Sequence, residues 1–122
     1  MTIADLHELN ERFQKRAVDL SELIPGGSLL EAASLIIRSS RRMHSYLEKM
    51  LAATSELQLG KAIEKTEEHL DEIIFILDQL DIANKEQKIT LINDFVKQGY
   101  DLLSMYSACV DQIIKEKVAS ED

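Results

Sequence analysis

Apolar side chains recur at alternating intervals of three and four along four stretches of this 122-residue chain. That rhythm follows the turn of an α-helix, so each stretch carries one continuous apolar flank that only packing against other helices can bury. The clearest series is Ile89, Ile92, Val96, Gly99, Leu103, Tyr106, Val110 and Ile113. Another runs Leu29, Ala33, Ile36, Ser40, Met43, Leu47 and Met50, and a third Ile63, Thr66, Leu70, Ile73, Leu77 and Leu80. The N-terminal series, Ile3, Leu6, Asn10, Phe13, Ala17, Leu20 and Ile24, keeps the rhythm but includes an amide, and is expected to pack last and fray first.

Only Gly60 interrupts the second and third series, yet they cannot share one helix. Continuing the second would bury Thr54, Leu57, Lys61 and Glu64, whereas the third uses Ile63 and Thr66. That slip rotates the apolar flank by roughly 100–200°. A break between Ala52 and Gly60 follows. Ser28 stands three before Glu31, Ser55 three before Gln58 and Asn84 three before Gln87, each in the spacing of a reciprocal N-terminal cap. Pro25-Gly26-Gly27 stops the first helix. The expected fold is all-α, an antiparallel up-and-down four-helix bundle with helices over about 3–24, 28–52, 56–82 and 85–118 in a single domain, 1–122.

No stretch approaches the ~20 uncharged apolar residues of a membrane span, and no export signal is read at the N-terminus. Cys109 is the only cysteine and forms no internal disulfide, so a reducing cytoplasm is the expected compartment.

The net charge of −8 is unevenly spread. Residues 61–83 hold Glu64, Glu67, Glu68, Asp71, Glu72, Asp78 and Asp81 against Lys61 and Lys65, for −5. Between Leu35 and Met50 the second helix carries Arg38, Arg41, Arg42 and Lys49 against Glu48, for +3. One reading pairs these two faces within the bundle, at under ~1 kcal/mol per exposed pair. The other makes Arg38, Arg41, Arg42 and Lys49 a contact for an anion or RNA, because guanidinium forks match phosphate. Overall acidity argues against a broad nucleic-acid footprint.

Apolar residues also exceed what narrow seams need. Leu30, Ile37 and Leu51 form a second column interrupted by His44, Phe95, Leu102 and Cys109 form another, and Ile74, Phe75 and Ile76 widen the third helix's flank. A globular bundle accommodates such width. A homo-oligomer would use the surplus as an interface, formed by Ile37, His44, Phe75, Phe95 and Leu102.

Catalytic constellations are not found. A di-metal bundle needs glutamate three residues before histidine, but Ala4, Arg41 and Thr66 stand there before His7, His44 and His69. His7-Glu8-Leu9 lacks the basic residue and proline of a phosphoacceptor box. His44 and His69 border apolar stripes, as boundary or interface side chains. Cys109 reads as a small buried thiol. Gly99, at a core position, lets another helix approach or admits a bulky partner such as Phe13 or Met43. No catalytic residue, no metal and no cofactor is expected, and the chain reads as non-enzymatic.

The run Leu35-Ile36-Ile37-Arg38-Ser39-Ser40-Arg41, followed by Ala62-Ile63-Glu64-Lys65-Thr66-Glu67-Glu68-His69-Leu70-Asp71-Glu72, resembles the bacterial four-helix-bundle proteins encoded in 23S rRNA intervening sequences. Their relatives include the accessory variability determinant of diversity-generating retroelements, a basic protein that binds a reverse transcriptase and nucleic acid. The resemblance implies a homo-oligomer with a ring-shaped pentamer as its form, and matches Arg38 to the family's arginine on the second helix. The combined expectation is a self-assembling interaction or scaffold module with protein partners, in an RNA-associated complex. The competing expectation is a regulatory bundle that binds a small molecule between helices, beside Tyr100, Tyr106 or His44.

Overall fold

The four apolar series become four helices in the computed structural model, which describes residues 2–24 and 27–119 except the side chains at 27 and 28. They are α1 (Ile3–Leu23), α2 (Gly27–Ala52), α3 (Glu56–Gln87) and α4 (Thr90–Ala119), with no strand among the described residues. Consecutive helices pack side by side and α4 closes the circuit on α1, while α2 and α4 also touch across a diagonal. Met43, Leu47, Met50, Ile73, Leu77 and Tyr106 occupy the centre with no exposed surface. Every member of the second series is buried, and so is the fourth from Ile92 to Ile113. Gly99 is a point of close approach: a Cβ there would lie 2.6 Å from Leu77 Cδ1 and 3.1 Å from Phe13 Cε1. The bulky Phe13 expected against it is present, joined by Leu77.

Helix ends follow local side-chain chemistry. Thr2 and Asp5 form a reciprocal cap, Thr2 Oγ1 accepting from the Asp5 amide at 3.1 Å and Asp5 Oδ2 from the Thr2 amide at 3.0 Å. Ser55 caps α3 by accepting from the Gln58 amide at 3.2 Å, but the Gln58 carboxamide turns to Thr54 rather than completing the reciprocal pair. The Ser28 cap and the Pro25-Gly26 stop lie outside the described residues.

The boundary between α3 and α4 falls later than expected. Asn84 does not cap a helix starting at 85; it lies in the last turns of α3, where its side chain bonds both backbone groups of Ile89, at 2.9 and 3.0 Å. Lys88 caps α3 in the left-handed conformation, φ 53°, and its amide reaches back to Asn84 at 2.7 Å. The good helix formers Lys85, Glu86 and Gln87 therefore extend α3 instead of opening α4. Among the described residues, no helix is long and apolar enough to cross a membrane.

Candidate functional site

Asn10, the amide within the first apolar series, is 1 % exposed and begins a chain of polar contacts linking three helices. Its Nδ2 donates to the Tyr106 hydroxyl at 2.7 Å and to the Ser40 carbonyl at 3.0 Å. Outward, Gln14 Nε2 donates to Asn10 Oδ1 at 3.0 Å and Arg41 Nε to Gln14 Oε1 at 3.1 Å. Inward, Tyr106 Oη is 2.7 Å from His44 Nδ1, and His44 Nε2 is 3.0 Å from Glu48 Oε1. A guanidinium only donates, which sets the direction from Arg41 to the Tyr106 oxygen, and a carboxylate only accepts, which puts hydrogen on His44 Nε2 facing Glu48. Burial favours neutral His44, whose Nδ1 then accepts from the Tyr106 hydroxyl while that oxygen accepts from Asn10.

Burial lowers the His44 pKa first and the neighbouring His7 second, against the opposing pull of Glu48. Burial likewise raises the Tyr106 pKa, and with Glu116 that of Cys109, keeping phenol and thiol protonated. The network backs a cleft of about 620 Å³ between α1 and α2, lined by His7, Glu11, Lys15, Ile37, Arg41 and Glu48 among others. His7 enters from α1, its Nε2 2.9 Å from Glu11 Oε1 and its ring centroid 4.4 Å from that of His44.

The residues expected at an anion patch separate into three groups. Arg41 turns into the cleft, Arg38 and Arg42 are exposed on the outer face of α2, and Lys49 borders the groove towards α3 that Glu64 also lines. Lys49 Nζ stands 4.7 Å from the centroid of the Tyr46 ring, which in turn stacks on His69 of α3 at 5.7 Å. Pairing between basic α2 and acidic α3 is not observed among the described residues: the acid–base contacts lie within single helices, and Arg38 and Arg42 have none.

The expected interface set requires correction. Phe95 and Leu102 are 3 % and 4 % exposed, because α4 packs on both α1 and α3 and turns a wide arc inward. Phe95 stacks on Phe13 with ring centroids 4.7 Å apart. His44 is committed to Tyr106 and Glu48, and Ile37 lines the cleft half-buried. Phe75 alone of the five stands out from the bundle, 64 % exposed beside a groove of about 560 Å³ bordered by Leu29, Ala32, Leu35 and Leu80.

Two outward stripes now become visible. On α3, Glu64, Glu68, Asp71, Phe75, Asp78 and Ile82 are all exposed at alternating spacings of four and three. On α2, Glu31, Leu35, Arg38, Arg42, Ser45 and Lys49 repeat the same spacing, Leu35 alone being half-buried. No protein-family model, no curated protein and no solved structure gives a match to this chain.

Proposed function

We propose that this protein is a non-enzymatic interaction module that assembles with copies of itself, the basic stripe of α2 on one copy meeting the acidic stripe of α3 on the next. The observation that carries this reading is that two oppositely charged, exposed stripes occupy adjacent corners of one bundle without an ion pair between them among the described residues. Complementary but different faces make a head-to-tail contact, not a two-fold one. Phe75 in the acidic stripe supplies the apolar anchor such a contact needs at its centre. Outward normals of neighbouring helices in a four-cornered bundle differ by about a quarter turn, and a contact of that geometry with bundle axes parallel closes after about four copies, or about five where the angle between the faces is slightly wider. A cytoplasmic ring of five, the form implied by the resemblance to the intervening-sequence proteins, fits that closure.

Light scattering coupled to size exclusion tests the reading. The wild-type chain is expected as a closed oligomer that dissociates at high salt. Arg38→Glu with Arg42→Glu yields monomers, and adding Glu64→Lys and Asp71→Lys restores assembly. A wild-type monomer at every concentration defeats the proposal.

A second reading rests on the guanidinium groups of Arg38 and Arg42, which have no ion pair among the described residues and suit a phosphate contact with RNA. It requires salt-sensitive binding of mixed-sequence RNA that the same arginine reversals abolish.

A further inference from the structure

The cleft between α1 and α2 brings two histidine–glutamate pairs face to face, His7 with Glu11 on one helix and His44 with Glu48 on the other. Each pair has the i, i+4 spacing that puts both side chains on one flank of its helix. We propose that His7, His44 and Glu48 form a binding site for a divalent transition-metal ion of zinc-like chemistry. One ligand atom from each of the three lies within 4.8 Å of the other two. Donors around a tetrahedral ion with bonds of about 2.0–2.1 Å stand about 3.4 Å apart, so the site closes by rotating its outer side chains inward. The two that must move are the exposed ones: the side chains of His7 and Glu48 are 49 % and 61 % exposed.

His44 is the fixed donor. It is 5 % exposed, its Nδ1 is held by Tyr106, and its Nε2 faces the carboxylate of Glu48. A histidine ligand normally donates its other ring N–H to a fixed acceptor, and the Tyr106 oxygen stands where that acceptor is needed. When the ion takes Nε2, the imidazole proton shifts to Nδ1 and is donated to the Tyr106 oxygen, so His44 stays neutral and that bond reverses. The phenolic proton then loses its acceptor, which limits the site to modest affinity. Glu11, beside His7, adds a second negative charge against the dication. Two imidazoles and a carboxylate favour zinc, cobalt, nickel or copper over magnesium and calcium, which prefer all-oxygen shells.

The test uses the full chain without an affinity tag, titrated with Co²⁺ alone and then with Zn²⁺. One Co²⁺ per chain is expected, with the visible absorption of a low-coordinate nitrogen–oxygen site that Zn²⁺ displaces. His7→Ala and Glu48→Gln, both at exposed side chains, each weaken binding at least about tenfold, since losing a ligand exceeds losing an outer partner. His69→Ala, which removes a histidine paired with glutamate elsewhere, leaves it unchanged. Circular dichroism confirms that each variant is folded. Absence of Co²⁺ binding, or binding undiminished by His7→Ala and Glu48→Gln, overturns the proposal. Neither outcome bears on self-assembly, whose faces do not include these three side chains.

Discussion

Tyr106 donates to His44 across 2.7 Å while accepting from Asn10 at the same distance, so one buried oxygen ties α4 to α2 and α1. Removing it by Tyr106→Phe leaves the His44 nitrogen and one Asn10 hydrogen without partners in the interior. A loss of about 1–3 kcal/mol is expected from urea unfolding of the variant. Arg41→Ala, at the exposed end of the same chain, changes stability by no more than about 0.5 kcal/mol. Equal effects at the two ends would contradict the graded burial of the network.

The same histidine gives stability a pH dependence. Its folded pKa lies below the ordinary value of 6.5, through burial and the facing His7 of α1, with Glu48 on its own helix and Glu11 of α1 pulling the other way. The unfolded chain therefore binds the proton more readily. This contribution is fully present above pH 6.5 and is eroded as pH falls below it. Urea midpoints measured from pH 8 downward should decline from about 6.5 in the wild type, and His44→Gln should flatten that part of the curve.

Ser39 and Ser40 present a different case. Their hydroxyls are buried without a hydrogen-bond partner among the described residues, although the Ser40 carbonyl accepts from Asn10. Removing an unsatisfied hydroxyl at nearly constant shape relieves desolvation, and alanine is the better helix former. Ser40→Ala and Ser39→Ala are each expected to raise stability, by up to about 1 kcal/mol, in the same unfolding assay.

Phe75 and Phe95 separate packing from association. Phe95→Ala empties a stacked site against Phe13 and should cost about 3–5 kcal/mol of monomer stability. Phe75→Ala touches an exposed ring, so monomer stability should change by no more than about 0.5 kcal/mol while oligomer content falls. Unfolding and light scattering on the two variants check both halves.

Those two phenylalanines also mark what the sequence conveys. Helix number and the buried flanks are legible because periodicity is a property of one helix at a time: Leu47, Ile73 and Val110 lie inward as their spacing requires. Which neighbour meets a second apolar column is a property of the assembled bundle, and Phe95 and Phe75 carry the same signal with opposite outcomes. Asn84 misled for a local reason, since one amide side chain serves equally to cap a helix start or to staple a turn. The polar network joins residues up to 96 apart, Asn10 to Tyr106, so periodicity set both inside without setting them opposite each other. One signal for the cleft was present: histidine four before glutamate, at His7 and again at His44.

Tyr100 offers a test of the packing between α3 and α4. Its hydroxyl donates to the Asp78 carboxylate, and this bond, with smaller help from burial and from the charges of Asp78 and Asp81, pushes its pKa up to about 12. The neutral phenol is the form favoured by the fold, so this contribution is complete below pH 10 and is lost as pH rises towards 12. Ultraviolet titration of phenolate should show one tyrosine ionising near pH 12 that disappears in Tyr100→Phe. In Asp78→Asn the same group should ionise closer to its ordinary value of 10, because the carboxylate that held the proton is gone. An unchanged titration in Asp78→Asn would place Tyr100 away from Asp78 and would remove that link between the two helices.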